Sequence, residues 1–249
     1  MSAPRKTERT RNPLFQKEKP RLGDDLSFAA AEAYKLLRTN VLFALPDEQK
    51  CRLVGVTSTC SGEGKSTLAL NLAYMLASAG ERVLVIEADM RIPTIAKQLG
   101  VNPSPGLSNL LAGLCTVGEA IQSSGLHNQL WVLTSGGIPP NPSELLGSRS
   151  MRNSLDALNK AFDFILLDLP PVTEVADALV ISKLADGMIM VVRQDYTNRR
   201  AFNAAMNQLR YVQAKILGFV ITWGDYTKNG GKHKQGYGYY AESAKKGRP

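Results

Sequence analysis

Residues 54–67 are Val54-Gly-Val-Thr-Ser-Thr-Cys-Ser-Gly-Glu-Gly-Lys-Ser-Thr67, in which an apolar strand leads through a loop of small residues into an apolar helix. Glycines allow the backbone to wrap closely around an anion, so that successive N–H groups point inward. A helix that begins near Ser66 directs the positive end of its dipole at the same point. The order of strand, glycine-rich loop and helix therefore predicts a binding site for phosphate groups.

The side chains of this loop predict a nucleotide with a bound magnesium ion. Lys65 supplies a mobile positive charge for the outer phosphates, and the Ser66 hydroxyl is a suitable Mg²⁺ ligand. Thr59 departs from the usual P-loop pattern, which has a glycine at that position. A glycine-rich turn with an incidental lysine is the alternative, but the flanking strand and helix favour the phosphate loop. The predicted nucleotide-binding residues are Thr59, Cys60, Ser61, Gly62, Glu63, Gly64, Lys65, Ser66 and Thr67.

The composition predicts one α/β domain with a basic segment at each end. The chain has 249 residues, of which 44% are hydrophobic, and this is enough for one sizeable core. Residues 1–21 hold seven Lys/Arg against two Glu, and residues 228–249 hold six against one. We therefore predict a flexible basic segment over 1–26, a folded domain over 27–225 and a flexible, tyrosine-rich basic tail over 226–249. Such tails suit nucleic acid, an anionic membrane or an acidic partner, and solubility is an equally simple explanation.

Several kinds of site are not expected. The three cysteines show no paired spacing and the only histidines are His127 and His233, so we expect no zinc or iron–sulfur centre. Unpaired cysteines suit a reducing cytosol. No apolar run approaches the length of about 18 residues that a membrane span needs, and the N-terminus lacks the apolar region of a signal peptide.

Alternating apolar runs and helical patterns predict the fold class. Because short, fully apolar strands separated by helices are typical of parallel sheets, we predict an α/β fold with a mostly parallel β-sheet flanked by helices on both faces. Ligands of such sheets bind at the carboxyl ends of the strands. Ser27 is the predicted N-cap of a first helix that ends near Phe43. The predicted strands lie near 53–57, 83–87, 130–134, 164–168, 188–192 and 216–222, and later helices near 66–79, 148–161, 176–185 and 197–213.

Acidic residues follow two of the predicted strands. Glu87 and Asp89 lie two positions apart at the end of the second strand, and Asp168 ends the fourth. Phosphoryl transfer needs one carboxylate for the Mg²⁺ shell and another that orients or deprotonates the acceptor. Asp168 suits the metal, Asp89 the metal or the acceptor, and Glu87 the base. For Glu87 alone, a turn or helix-cap role is the simpler interpretation.

Together these motifs resemble those of the bacterial tyrosine kinases of capsule and exopolysaccharide synthesis, which are built on a MinD/ParA-like P-loop scaffold. The resemblance extends from about Phe28 to Tyr240. The segment Glu32-Ala-Tyr-Lys-Leu-Leu-Arg38 resembles the oligomerisation motif of the family, and Ile138-Pro-Pro-Asn-Pro-Ser-Glu-Leu-Leu146 resembles its proline-rich loop. Near the C-terminus, Tyr237-Gly-Tyr-Tyr240 resembles its cluster of autophosphorylated tyrosines.

The resemblance implies a kinase that phosphorylates tyrosines of its own tail between the subunits of a ring. By position, Lys65, Ser66 and Thr67 hold ATP and Mg²⁺, and Asp89 and Asp168 complete the metal and acceptor site. Glu87 stands where the family has the aspartate proposed as base, and Lys35 stands where its oligomerisation motif has arginine. The implied catalytic residues are Glu87, Asp89 and Lys65, the implied oligomerisation residues are Glu32, Lys35 and Arg38, and the implied phosphoacceptors are Tyr226, Tyr237, Tyr239 and Tyr240.

The resemblance also implies partners. These are a separate membrane-spanning activator of the polysaccharide co-polymerase type, which acts through its cytosolic segment, and a cognate tyrosine phosphatase. The kinase itself is expected in the cytoplasm, recruited to the inner face of the membrane, where it regulates polysaccharide synthesis and export. No nucleic-acid partner is expected.

Other classes of protein share this scaffold. The main alternative is a MinD/ParA-type ATPase that positions cargo on a membrane or on DNA. Such proteins carry an extra lysine where this chain has Cys60, and they need no tyrosine-rich tail. A metal-cluster assembly ATPase would need a Cys-x-x-Cys pair. A nucleotide-binding regulator without catalysis also stays open, with Glu87 as its mark. The segment Ile221-Thr-Trp-Gly-Asp225 departs from the family pattern, so the residues that contact adenine are not predicted.

Overall fold

The computed structural model describes residues 20–45 and 51–224, and these contain one seven-stranded sheet. The strand order is β3-β4-β2-β5-β1-β6-β7, and every neighbouring pair is parallel except β3 and β4. The predicted mostly parallel α/β fold is therefore confirmed. The strands are β1 (Arg52–Ser58), β2 (Val83–Glu87), β3 (Ile121–Ser123), β4 (Leu130–Leu133), β5 (Phe164–Asp168), β6 (Gly187–Arg193) and β7 (Ile216–Thr222).

The helices include several that the sequence analysis did not predict. The unpredicted elements are α3 to α6 and the antiparallel strand β3, each of six residues or fewer, which is too short to show a helical or strand period. The helices are α1 (Phe28–Ala44), α2 (Lys65–Ala77), α3 (Ile95–Leu99), α4 (Leu107–Leu111), α5 (Val117–Ala120), α6 (Pro142–Gly147), α7 (Arg149–Leu158), α8 (Asp177–Ser182) and α9 (Arg199–Tyr211).

Two hydrophobic layers, one on each face of the sheet, form the core. Successive side chains of a strand point to opposite faces, so Leu53 packs in one layer and Val54 in the other. The Val54 layer lies under α1 and α2, and the Leu53 layer lies under α7, α8 and α9. The central strands are buried on both faces, which explains their continuous apolar sequence.

The first helix begins as predicted, but the chain before it also packs on the domain. The Ala30 N–H donates to the Ser27 hydroxyl at 3.3 Å, so Ser27 is the N-cap of α1. Residues 23–25 form a 3₁₀ turn in which the Gly23 N–H donates to Asn71 Oδ1 at 3.0 Å. Tyr74 donates to the Asp24 carboxylate. The predicted flexible segment 1–26 therefore overlaps the folded domain at its end, because α2 offers these residues specific polar partners.

The predicted phosphoacceptors Tyr226, Tyr237, Tyr239 and Tyr240 lie outside the described residues. Within 20–45 and 51–224, each helix is too short or too polar to cross a membrane.

Candidate functional site

The predicted chemistry lies at one edge of the sheet. Lys65 follows β1, Asp89 follows β2 and Asp168 ends β5. These strands are neighbours in the order β2-β5-β1, and the register pairs Asp168 with Glu87 on one side and Val56 on the other. Parallel strands end at a common edge, so residues far apart in sequence meet there.

The glycine-rich loop has the backbone that an anion cradle requires. Gly62 and Gly64 have φ values of +81° and +90°, in the left-handed region that favours glycine. Gly64 is the N-cap of α2, so the positive end of this helix lies directly behind the loop. Ser61 and Gly62 are exposed at the mouth of the loop, whereas Lys65 and Ser66 are buried at its base.

The buried side chain of Glu63 stabilises the phosphate loop through hydrogen bonds. Its carboxylate is only 1% exposed and accepts the backbone N–H groups of Thr59 at 2.7 Å and Cys60 at 3.1 Å. Its other oxygen accepts the hydroxyl of Thr197, which follows β6. These bonds fix the start of the loop, where Thr59 replaces the glycine of the usual pattern.

Side chains from β6, β7 and the turn after β6 hold the outer side of the loop. The carbonyls of three successive loop residues each accept a hydrogen bond from one of these side chains. The pairs are Tyr196 Oη to the Ser61 carbonyl at 3.2 Å, Arg193 Nη1 to the Gly62 carbonyl at 3.2 Å and Thr222 Oγ1 to the Glu63 carbonyl at 2.8 Å.

Lys65 lies between two of the predicted site carboxylates. Its Nζ is 2.8 Å from Asp89 Oδ2 and 3.8 Å from Asp168 Oδ1, and its side chain is 11% exposed. Burial by itself lowers the pKa of Lys65, but the negative charges of Asp168 and Asp89 outweigh that effect and raise it. Lys65 is therefore a fixed cation at the base of the loop.

Among the site carboxylates that the structure describes, Asp168 is the one that accepts no hydrogen bond and is therefore open to a ligand. It is 1% exposed, and within the described part of the chain neither of its oxygens accepts a hydrogen bond. Burial raises the pKa of Asp168 to about 6, although the nearby Lys65 charge and the Ser66 hydroxyl act in the opposite direction. A buried carboxylate that accepts no hydrogen bond is costly, and a divalent cation is a ligand that would satisfy it. Asp168 and the adjacent Ser66 therefore fit the predicted Mg²⁺ site.

Asp89 is fixed by its own loop. While Oδ2 contacts Lys65, Oδ1 accepts the backbone N–H groups of Arg91 at 3.3 Å and Ile92 at 3.1 Å. This turn directs the carboxylate towards the phosphate loop, where it can serve the metal or the acceptor.

The carboxylate of Glu87, the predicted base, is engaged by backbone N–H groups. Its carboxylate is 1% exposed, and Oε1 accepts the N–H groups of Thr94 and Ile95, the latter at 2.6 Å, while Oε2 accepts the Ser135 N–H at 3.1 Å. Both oxygens of the Glu87 carboxylate are therefore occupied as hydrogen-bond acceptors. In this arrangement Glu87 caps α3 and holds the chain after β4, which is the simpler role that the residue alone suggested.

We expect Glu87→Ala to lower the free energy of unfolding by about 3–5 kcal/mol, because three backbone N–H groups in a buried region lose their acceptor. Glu87→Gln keeps one carbonyl oxygen and should cost less. Urea unfolding of both variants checks this order. An alanine variant as stable as the wild type would contradict the capping role.

Another buried carboxylate, that of Asp177, joins three segments of the chain near the site. Asp177 is fully buried and accepts Arg91 Nε at 3.2 Å and the Ser143 hydroxyl. Arg91 also donates to Ser143 Oγ at 3.4 Å. The loop after β2 is thereby tied to the proline-rich segment 138–146 and to the start of α8, a contact that the sequence analysis did not predict.

The three predicted oligomerisation residues make contacts within their own chain. Lys35 Nζ lies 2.7 Å from Glu32 Oε1, in an exposed i,i+3 pair of the kind expected for a solvated helix face. Arg38 Nη1 donates to the Met75 carbonyl at 3.0 Å and so joins α1 to the last turn of α2. Their role in assembly stays a prediction.

Other residues of the site were missed. Arg193, Tyr196 and Thr197 bind the phosphate loop from β6 and the turn after it, and Glu174 Oε1 accepts the Ser61 N–H at 2.9 Å. These residues form no local motif. They lie at or just after the carboxyl ends of β5 and β6, where parallel sheets bind ligands, and this position is the feature from which they could have been predicted.

Comparison with known proteins agrees with this geometry. Residues 51–218, which include the phosphate loop and both strand-end aspartates, match a family model described as an AAA domain. The fold and the site therefore define a P-loop nucleotide-binding protein.

Similarity to individual proteins identifies the family within the class of P-loop proteins. Tyrosine-protein kinase YwqD of Bacillus subtilis is 39% identical over 210 residues, which cover 84% of this chain and 86% of that protein. Putative tyrosine-protein kinase CapB of Staphylococcus aureus is 32% identical over 237 residues, 95% of this chain and 99% of that protein. The solved kinase domain of Escherichia coli tyrosine kinase ETK has a TM-score of 0.75 and 29% identity, and covers 90% of this chain and 89% of that domain. The chain belongs to the bacterial tyrosine kinases, a family of protein-tyrosine kinases.

Proposed function

We propose that this protein transfers the γ-phosphoryl group of ATP to tyrosines of its own C-terminal tail, from one subunit to the next. The observation that carries the proposal is the position of Lys65 Nζ at the base of a phosphate loop. It lies 2.8 Å from Asp89 and 3.8 Å from the carboxylate of Asp168, which accepts no hydrogen bond. A cation for the phosphates and carboxylates for a metal are the parts that phosphoryl transfer requires.

Different residues of the site would bind the phosphates of ATP and the metal ion. The backbone from Gly62 to Gly64 would lie against the phosphates, since the N–H groups of the three preceding residues are already bonded to Glu63 and Glu174. The helix that begins at Lys65 adds its dipole. Asp168, Ser66 and Asp89 are the residues that would hold Mg²⁺. When bound, this ion neutralises charge on the phosphate oxygens.

We assign the acceptor side of the site to Asp89. A tyrosine hydroxyl has a pKa of about 10, so its proton needs a nearby acceptor. When a triphosphate attracts Lys65, Asp89 Oδ2 loses its present partner and is free to receive that proton. Glu87 then acts on the reaction indirectly, because its hydrogen bonds fix the end of β2 two residues before Asp89.

The proposed acceptors are Tyr226, Tyr237, Tyr239 and Tyr240, in a tail whose Lys and Arg residues suit the acidic site. Each phosphorylation adds nearly two negative charges and weakens that attraction. We assign ring contacts to Glu32, Lys35 and Arg38. The proposal includes a membrane-spanning activator that recruits the kinase to the inner face of the membrane, a phosphatase that resets it, and control of capsular or exopolysaccharide synthesis and export.

A mixing experiment tests transfer between subunits. One variant has the four tail tyrosines replaced by Phe and keeps the phosphate loop, while a Lys65→Met variant keeps the tyrosines. We expect the mixture to show phosphotyrosine on the Lys65→Met chain with Mg-ATP, because a cationic tail of one subunit reaches the acidic site of another. Each variant alone should show none by anti-phosphotyrosine blot and mass spectrometry.

Other outcomes would point to other functions. Steady ATP hydrolysis without phosphotyrosine, with and without the cytosolic segment of a candidate activator, favours a positioning ATPase. ATP binding with neither activity favours a nucleotide-binding regulator. Phosphotyrosine in the wild type that never appears on the Lys65→Met chain would overturn transfer between subunits.

A further inference from the structure

Three side chains form a stack beside the phosphate loop. The guanidinium carbon of Arg193 lies 4.7 Å from the centre of the Tyr196 ring and 4.3 Å from that of the Trp223 ring. Arg193 ends β6, and Trp223 directly follows β7. The stack is therefore built from two neighbouring strand ends and joined to the loop through the bond between Arg193 and the Gly62 carbonyl.

The placement of Trp223 does not serve the core. The residue is 66% exposed, and its φ of +59° lies in the left-handed region, which is uncommon for a bulky side chain. Strained residues that persist in a structure are concentrated at ligand sites. A large aromatic ring held in place by a cation, with one face towards solvent, is a suitable surface for another flat ring.

The order of the strands determines which end of a nucleotide reaches this stack. Asp89 and Asp168 lie at β2 and β5 on one side of β1, whereas Arg193 and Trp223 lie at β6 and β7 on the other side. The phosphate loop follows β1, between the two groups. A triphosphate in the loop with its terminal phosphate near Lys65 and the acids would extend its sugar and base in the opposite direction, towards the stack.

We propose that the base of the nucleotide stacks on the exposed face of Trp223, with Arg193 as the positioning residue that holds the ring. This inference rests on the proposed nucleotide-binding function. The Thr222 hydroxyl, the nearest polar side chain before Trp223 in β7, is already bonded to the Glu63 carbonyl. Stacking by itself tolerates any base, so Trp223 should contribute to the binding of both adenine and guanine nucleotides.

Fluorescence can detect the stacking directly, because the chain has two tryptophans. Trp131 lies in β4 against Phe162, with ring centres 5.6 Å apart. In a Trp131→Phe protein the emission therefore reports on Trp223. We expect ADP and GDP to quench this emission and inorganic tripolyphosphate, which has no base, to leave it unchanged. Binding of ADP by calorimetry without quenching would overturn the proposal.

Matched variants separate base stacking from support of the loop. We expect Trp223→Ala to weaken ADP and GDP binding by about tenfold, and Trp223→Phe to weaken it less, since stacking on an aromatic ring contributes to binding of each base. Tripolyphosphate affinity should be unchanged in both variants. Tyr211→Ala, which removes another exposed aromatic ring, is the control.

The outcomes are distinct from a failure of the proposed function. If the wild type binds neither ADP nor tripolyphosphate, the proposed nucleotide-binding function is refuted, and so is this inference. If ADP binds and Trp223→Ala binds it equally well, only the inference is overturned. If Trp223→Ala weakens the binding of ADP and of tripolyphosphate equally, the ring supports the loop and does not bind the base, and the inference is overturned. If the wild type prefers one purine nucleotide by more than about thirtyfold, stacking does not determine its specificity.

Discussion

Replacing Lys65 by Met should lower the rate of phosphoryl transfer by about 10²- to 10³-fold or more, because a preorganised charge at the phosphates is lost. Lys65 is buried beside Asp89, so a lysine on the protein surface cannot take its place. Initial rates of tail phosphorylation, measured with radiolabelled ATP, check the expectation. Lys97→Met removes an exposed lysine of α3 and is the matched control.

The same substitution should also change stability. Without the lysine, Asp89 and Asp168 form a buried pair of like charges, and we expect a loss of about 3–5 kcal/mol in the free energy of unfolding at pH 8. The loss should shrink at acid pH, because protonation removes the repulsion. Full stability combined with lost transfer would mean that Lys65 does not balance the two carboxylates. Undiminished transfer would refute its role at the phosphates.

Asp168→Asn should have opposite effects on stability and binding. The pKa of Asp168 is about 6 in the folded protein, against 3.8 for an ordinary aspartate. Between pH 3.8 and about 6 the folded state holds more protons than the unfolded state, so the stability of the protein falls as the pH rises through this range. Above this range the full loss of stability remains. The difference corresponds to about 3 kcal/mol at neutral pH as an order of magnitude. The asparagine variant, without ligand, should therefore be more stable than the wild type above pH 6 and similar near pH 4.

Loss of the carboxylate should at the same time remove Mg²⁺-dependent nucleotide binding, because an amide is a poorer Mg²⁺ ligand than a carboxylate. Thermal unfolding across pH 4 to 8, with and without Mg-ADP, measures both effects. In the wild type, the stabilisation by Mg-ADP should decline as pH falls below about 6, since Asp168 must be ionised to bind the metal. Asp156→Asn, in the exposed face of α7, should alter neither quantity. An Asp168→Asn variant that is less stable than the wild type at neutral pH would contradict the open-ligand interpretation.

The fold and the centre of the site could be predicted because their signals are local. The loop from Thr59 to Thr67 follows a buried strand and precedes a helix, and that order requires no knowledge of the rest of the chain. Apolar runs predicted the central strands for the same reason. Asp89 and Asp168 follow such runs, and the rule for parallel sheets brings them to the same edge.

The residues that hold the loop could not be predicted, because their partners are distant in sequence. Glu63 contacts Thr197 across 134 positions, and Asp177 contacts Arg91 across 86. The predicted base shows the same limit, since the bonds of Glu87 to Ile95 and Ser135 depend on how α3 and the chain after β4 pack.

The sequence by itself determined a parallel α/β protein with a phosphate loop and two strand-end aspartates, because strand burial and glycine conformation act within a few residues. The tertiary structure alone decided which carboxylates are open and which are engaged. It left Asp168 without a hydrogen-bond partner, paired Asp89 with Lys65 and engaged Glu87 with backbone N–H groups. The physical reason is that the availability and pKa of a carboxylate depend on burial and on nearby charges, which are fixed only when distant segments pack together.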